Sequence, residues 1–332
     1  MWIRALPDEA RGAIPKPVRV ASFDAEHLEV RIFNVGHGEA ILVVFPGDRA
    51  WLVDGGNTNT ESVNDEVGQL LVGYLESRGL TLEACVASHA HIDHVGAFDP
   101  ILSSGSSALA PVVTVYRSHD GWSGSSKWLG RYHAAITAAG SAVEEVVLRN
   151  AHREVEVAPG VVAHLFAGSG DGPYTALFMR LRYHSASLLF TGDAHCDYEG
   201  EQLEAVGAVD FRADMLKVTH HGSSSGTHLD TVRAAQHAFA VASTGDDTGH
   251  TLEEDTLERL EDGHTRRRVF ETLVDGDIIV RTDGQPYRGG VLYRVDFDTP
   301  GEFADALDAD VVDADDVVRT RTDDDRCIPE DD

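Results

Sequence analysis

Residues 88–96 read SHAHIDHVG and place His89, His91, Asp93 and His94 within six positions. This spacing does not suit the i, i+4 face of a helix. It suits a loop leaving a strand, where alternate side chains can turn toward one point. The preceding residues, ACVAS (84–88), read as a buried strand that would deliver such a loop. Imidazole and carboxylate are preferred ligands for zinc, iron and manganese. A polar loop with ordinary hydrogen bonds would not need four ligand-type side chains so close together. The stretch therefore predicts a metal-binding loop.

Working outward, the chain alternates strand and helix signals. LEVRIFNV, ILVVFPG and WLVDGG, between residues 28 and 56, read as a hairpin-rich β start. NDEVGQLLVGYLESRG has apolar residues at helical spacing, with Asn64 as a candidate cap and Gly79 at its end. PVVTVYRS reads as a strand and KWLGRYHAAITAAG as a helix ending at Gly140. EVEVAPGVVAHLFAG, ALFMRLRYH and SASLLFTGD read as three strands. YEGEQLEAVG is expected to be helical, DMLKVTH extended and TLEEDTLERLED helical, and ETLVDGDIIVRTDG closes with a hairpin on Asp-Gly turns. This order predicts an α/β (α+β) protein with two packed sheets and helices outside. Three segments are expected: an N-terminal arm (1–27), one large domain (28–297) and an acidic tail (298–332) with no assigned chemistry.

Composition narrows the setting. The chain has 332 residues, enough to bury a sizeable core. It carries 56 Asp and Glu against 27 Lys and Arg, a net charge of −29, and its only lysines are Lys16, Lys127 and Lys217. An acidic, lysine-poor surface suggests a halophile's salt-rich cytoplasm. It argues against a broad nucleic-acid footprint, which is normally basic, although in molar salt the Debye length shrinks to about 3 Å and charge loses reach. No run of about 18 apolar residues is present, so no membrane span is expected. The start lacks the apolar core of a signal peptide, and cytoplasmic localisation is expected. Cys85, Cys196 and Cys327 are widely spaced with no CxxC pair, which argues for thiols rather than a disulfide framework.

HAHIDH (89–94) resembles the HxHxDH signature of the metallo-β-lactamase superfamily. The resemblance implies a four-layer αββα sandwich and two divalent metal ions. Zn²⁺ is the first expectation, with Mn²⁺ and Fe²⁺ as alternatives. It implies that His89 and His91 serve one metal, that Asp93 and His94 serve the other, and that Asp193 of SLLFTGDAH bridges them. One histidine of the His220–His221 doublet should complete the second site. His221, directly before a glycine, is assigned by analogy, leaving His220 to contact substrate or donate a proton. Asp54 of VDGG matches the superfamily's buried aspartate behind the metal loop. A further histidine, common about 20 residues before the bridging aspartate, is missing from the GDGPYTALF stretch around residues 173–177.

The series NVGHGEAILV, WLVDGG, SHAHIDHVGAF, LLFTGDAHCDYE, DMLKVTHHGSSSGT, ASTGDDTGHT and ETLVDGDIIV resembles in order the C-terminal metallohydrolase domain of the DNA-uptake ComEC family, over roughly residues 28–283. This implies a hydrolase in which a metal-bridged hydroxide attacks a phosphodiester, with Asp93, His220 and His250 as candidate catalytic residues. His250 matches a GHP-like element that could bind phosphate. His37 and Glu39 sit on a glycine-flanked turn at the mouth of the fold. Ser223, Ser224, Ser225 and Thr227 are expected either to bind phosphate or to form a flexible loop. The expected substrate is a nucleic acid or a small phosphodiester, with no membrane and no obligate protein partner. The alternative is a small-molecule hydrolase of the same fold, acting on a lactone, thioester or choline phosphodiester. A non-enzymatic metal-stabilised module is disfavoured because the ligand set is complete.

Overall fold

The computed structural model describes residues 2–5, 27–57, 61–119, 121–123, 126–168, 175–207, 211–245, 251–261, 268–287 and 290–298. The chain opens with β1 (Trp2–Ala5), β2 (Leu28–Ile32), β3 (Ala40–Phe45) and β4 (Arg49–Gly55). Helix α1 (Glu61–Arg78) leads into β5 (Thr81–Ala87). The short helices α2 (Ile92–Val95) and α3 (Phe98–Leu102) precede β6 (Leu109–Ser118), and α4 (Lys127–Ala139) precedes β7 (Val143–Leu148). These strands form the first sheet. The second sheet takes β8 (Ala151–Ala158), β9 (Val161–Ala167), β10 (Phe178–Tyr183), β11 (Ala186–Phe190), β12 (Met215–Lys217), β13 (Phe239–Ala242) and β14 (Arg268–Glu271). Between them lie α5 (Cys196–Val206), α6 (Leu229–Ala235) and α7 (Glu254–Glu261), and α8 (Thr272–Asp275) follows β14. Then β15 (Asp277–Thr282), β16 (Pro286–Tyr287) and β17 (Gly290–Asp298) return to the first sheet.

The first sheet runs β1-β17-β15-β2-β3-β4-β5-β6-β7, with β16 paired to β17, and the second runs β14-β13-β12-β11-β10-β9-β8. Both are mixed. β4 through β7 pair in parallel, as do β11 through β14, while the flanking pairs are antiparallel.

The period of two explains the layers. In β3, Ile41, Val43 and Phe45 enter the core between the sheets, while Ala40, Leu42 and Val44 face a second core. In β11, Ala186, Leu188 and Phe190 point inward, and Leu189 enters a third core that also takes Val232 of α6 and Leu260 of α7. The second core includes Val67, Leu71 and Leu75 of α1 and Leu129 of α4. Helices therefore cover both outer faces, giving the αββα sandwich. This explains why β3 is apolar throughout: both of its faces are buried, each large side chain contributing about 1.5–3 kcal/mol of transfer free energy.

Several local expectations need correction. EVEVAPGVVAHLFAG is not one strand. It folds back at Pro159–Gly160 into β8 and β9, which pair antiparallel. α1 begins at Glu61, so Asn64 is not its cap. Asn64 lies buried inside the helix and exchanges hydrogen bonds of 2.8 Å with the backbone of Asn57. Asp275–Gly276 ends the short α8 rather than turning a hairpin. Cys85 is a free buried thiol. Among the described residues no helix is long and apolar enough to cross a membrane. The segments 6–26 and 299–332 lie outside the described residues.

Candidate metal centre

The SHAHIDHVG loop leaves the C-terminal end of β5. Its geometry is set by Asp54, the fully buried residue near the end of β4. Asp54 Oδ1 accepts from Ser88 N at 2.7 Å, and Oδ2 lies 2.9 Å from His94 Nδ1. One carboxylate thus fixes the start of the loop and the orientation of its last histidine. The loop lies directly on the turn after β4. A Cβ on Gly56 would come 2.2 Å from Ile92 O, so no side chain fits there.

The other half of the site comes from the second sheet. Asp193 follows β11 through Gly192, whose φ is +57° and where an added Cβ would lie 2.5 Å from Ser88 Cβ. This close approach brings the two halves together. After β12, His220 donates its backbone N–H to Gly192 O at 3.1 Å. On a regular strand the neighbours His220 and His221 would face opposite sides. Here both are left-handed, at φ 52°, ψ 48° and φ 53°, ψ 5°. The turn sends both rings toward Asp193, at a conformational cost of about 1–2 kcal/mol per residue.

Side-chain contacts hold that turn. His221 Nδ1 donates to Ser243 O at 2.9 Å, and His220 Nδ1 lies 2.8 Å from Ser225 Oγ. Glu199 accepts from Thr227 N at 2.9 Å and His228 N at 2.6 Å. Arg259 donates to the carbonyls of Ser224, Gly226 and Thr227 at 2.9–3.0 Å. Ser223, Ser225 and Thr227 are buried. This corrects the flexible-loop expectation: the serine-rich segment is a brace.

The ligand-type atoms converge on Asp193 Oδ2. His94 Nε2 lies at 2.9 Å, His221 Nε2 at 3.4 Å, His89 Nε2 at 3.9 Å and His220 Nε2 at 4.0 Å. Asp93 Oδ2 is 3.6 Å from His94 Nε2 and 3.5 Å from His221 Nε2. Among the described residues, Asp93, His94, Asp193 and His221 offer ligand atoms within 4.8 Å of one another, and all four are buried. His91 packs beside them, its ring centroid 4.4 Å from that of His89.

Electrostatics split the histidines into two groups. Burial alone would lower His221, but Asp193 and Asp93 outweigh it and raise the imidazole to about 9. His94 is likewise raised, with Asp193, Asp93 and Asp54 overcoming burial. Burial, then the neighbouring His94, lowers His89, and burial lowers His91. Asp193 stays ionised: burial opposes this, and His221 and His94 overcome it. The carboxylates of Asp93 and Asp193 thus favour positive charge between them, as a cation-binding site would.

The donor set fits a divalent ion. Among the described residues, His89 Nε2 and Asp193 Oδ1 are buried without a hydrogen-bond partner. The Nδ1 atoms of His94 and His221 are already held by Asp54 and Ser243, so their Nε2 atoms face inward as ligands should. His89, His91, Asp93, His94, Asp193, His220 and His221 therefore come together. His250 and residues 169–174 lie outside the described residues, and His164 pairs with Glu154 on β8.

No local pattern in the sequence announces the contact between Lys217 and Glu39. Lys217, at the end of β12, places Nζ 2.5 Å from Glu39 Oε2, and both side chains are buried. Glu39 precedes β3 and donates its N–H to Asp93 O at 2.9 Å. The pair thus ties the second sheet to the metal loop of the first. The rarity of lysine in this chain was the available signal. His195, whose ring stacks on His220 with centroids 5.3 Å apart, was also missed.

Residues 34–272 match the Metallo-beta-lactamase superfamily. The chain belongs to that superfamily. It is 25% identical over 280 residues to ComE operon protein 3 of Bacillus subtilis, covering 80% of this chain and 33% of that protein. It is 27% identical over 217 residues to the uncharacterized protein YcaI of Escherichia coli, covering 65% of this chain and 25% of YcaI. The matches thus span about a third and a quarter of these relatives' lengths. Among solved structures it is similar to the metallo-beta-lactamase fold protein YhfI of Bacillus subtilis, at 14% identity and a TM-score of 0.46, covering 73% of this chain and 96% of YhfI. It is also similar to the short form of human tRNase Z, at 11% identity and a TM-score of 0.41, covering 73% of this chain and 93% of that one.

Proposed function

We propose that this chain is a metal-dependent hydrolase that cleaves phosphodiester bonds, with DNA or RNA as the leading substrate and Zn²⁺ or Mn²⁺ as the metal. The observation that carries this reading is the convergence of buried imidazole Nε2 atoms on Asp193 Oδ2, with Asp93 alongside. The ordered ComEC-like motifs and the similarity to ComE operon protein 3 support the nucleic-acid side. His89 and His91 would hold one ion, Asp93, His94 and His221 the other, and Asp193 both.

When bound, two divalent ions supply an activated water near neutral pH and neutralise charge on phosphoryl oxygens. The protein does the rest. Asp54 and Ser243 orient His94 and His221 through their Nδ1 atoms. Asp93 and Asp193, held ionised, concentrate negative charge where cations must sit. The Glu39–Lys217 pair ties the loop to the second sheet, so the ligands keep their separation during reaction.

A small-molecule hydrolase is the second reading, and the net charge of −29 favours it, since a nucleic acid would be repelled except at high salt. The test is cleavage of single-stranded DNA, duplex DNA and bis-p-nitrophenyl phosphate in high salt with Zn²⁺ or Mn²⁺, beside Asp193→Ala. DNA cleavage lost in the variant supports the nuclease. Cleavage of the small diester alone moves the assignment to a small-molecule phosphodiesterase. Cleavage of neither by metal-loaded protein refutes the phosphodiester reading.

A further inference from the structure

The geometry points to His220 as a metal ligand, the third imidazole of the ion held by His89 and His91, rather than a proton donor to substrate. This rests on the two-ion reading above and deepens it. Without His220, that ion would have two imidazoles and a share of Asp193; His220 would add a third imidazole and complete four protein donors around a tetrahedral ion. In the sequence the gap shows as a missing histidine before β11, and Thr175, Ala176 and Leu177 there are buried apolar or hydroxyl residues.

Position supports the assignment. His220 Nε2 and His89 Nε2 stand at 4.0 and 3.9 Å from the same Asp193 oxygen. The other two imidazoles, on His94 and His221, both sit within 3.6 Å of Asp93. His94 and His221 thus lie beside Asp93, while His220 stands about as far from Asp193 Oδ2 as His89 does.

Orientation supports it too. Ser225 Oγ holds His220 Nδ1, leaving Nε2 directed at Asp193, and His195 stacks on the ring. This is the arrangement of a metal-binding histidine with its outer nitrogen secured. The paired left-handed residues gain a purpose: the turn brings the Nε2 atoms of adjacent histidines to the same carboxylate oxygen.

The test uses the full chain, freed of metal and titrated with Co²⁺ by calorimetry and visible absorption in high salt. Wild type should take two equivalents. His220→Gly accepts a left-handed φ without strain, so the fold should survive, as circular dichroism would check. It should weaken one equivalent at least ten-fold and change its cobalt spectrum, and added imidazole should restore both. Ser225→Ala should weaken the same equivalent by less. If His220→Gly binds both equivalents with wild-type affinity and spectrum, His220 is not a ligand and the inference is overturned. If wild type takes only one equivalent, the two-ion reading fails first and the inference falls with it.

Discussion

Replacing Lys217 with methionine tests whether the Glu39–Lys217 pair is a structural tie. The pair is buried on both sides, with Nζ 2.5 Å from Oε2, and Nζ also donates to Val218 O at 3.0 Å. At an effective dielectric constant of about 20, the attraction at this distance is about 7 kcal/mol, and desolvating two ions consumes several kcal/mol each. The intact pair is therefore close to neutral for stability, whereas removing one partner strands a buried charge. Lys217→Met should lower the unfolding free energy by about 3–5 kcal/mol at pH 7. Glu39→Leu with Lys217→Met should recover most of that loss. Burial already pushes the Glu39 carboxyl up. With the lysine gone, the folded state favours the protonated form more strongly, so the deficit should be smallest below the unfolded value of about 4.3 and grow as pH rises. The assay is urea unfolding of wild type, both single variants and the double variant at pH 5 and pH 7. A loss below about 1 kcal/mol for Lys217→Met at pH 7, or a double variant as unstable as the sum of the singles, would refute the reasoning.

Three further outcomes are expected. Asp54→Asn tolerates the residue's φ of 54° and should keep the fold, but it should lower metal affinity about 10–100-fold by calorimetry, because His94 loses its anionic partner. Burial pushes the Cys85 thiol and the Tyr198 phenol up to about 12 each. Their stabilising contributions are complete below the unfolded values of about 8.5 and 10 and are lost as pH rises through 12, so the urea midpoint should fall above pH 9 and Cys85→Ala should flatten the first part of that decline, by about 1.4 kcal/mol per pH unit. Metal at about 1,000 times its Kd should raise the unfolding free energy by about 4 kcal/mol over the chelated protein, and Asp193→Ala should abolish the increase in a thermal melt.

Much of this was legible before the structure. The HxHxDH loop, the TGD turn and the alternation of apolar residues are local signals, and they pointed to the histidine-rich loop after β5, to Asp193 opposite it and to the paired sheets. What escaped depends partly on contacts between distant segments and partly on local turns whose cues compete with strand and cap signals. Periodicity makes adjacent histidines alternatives, and only the backbone of Gly192, fixed against Ser88, makes the left-handed turn after β12 intelligible. Asn64 fits a cap by residue type, yet tertiary contact with Asn57 draws it into the helix interior. EVEVAPGVVAHLFAG reads as one strand because both arms of its hairpin carry valines facing a core, and the turn chemistry of Pro159–Gly160 is the cue that divides it. Lys217 meets Glu39 across 178 positions of chain, beyond any local pattern.

The most direct test of the account is anomalous diffraction from crystals grown with Zn²⁺, recorded on both sides of the metal's absorption edge. The account predicts anomalous density within coordination distance of Asp193, one peak against Asp93, His94 and His221 and a second against His89 and His91. Anomalous density confined to other parts of the surface, with the Asp193 carboxylate still bonded only to protein, would contradict it.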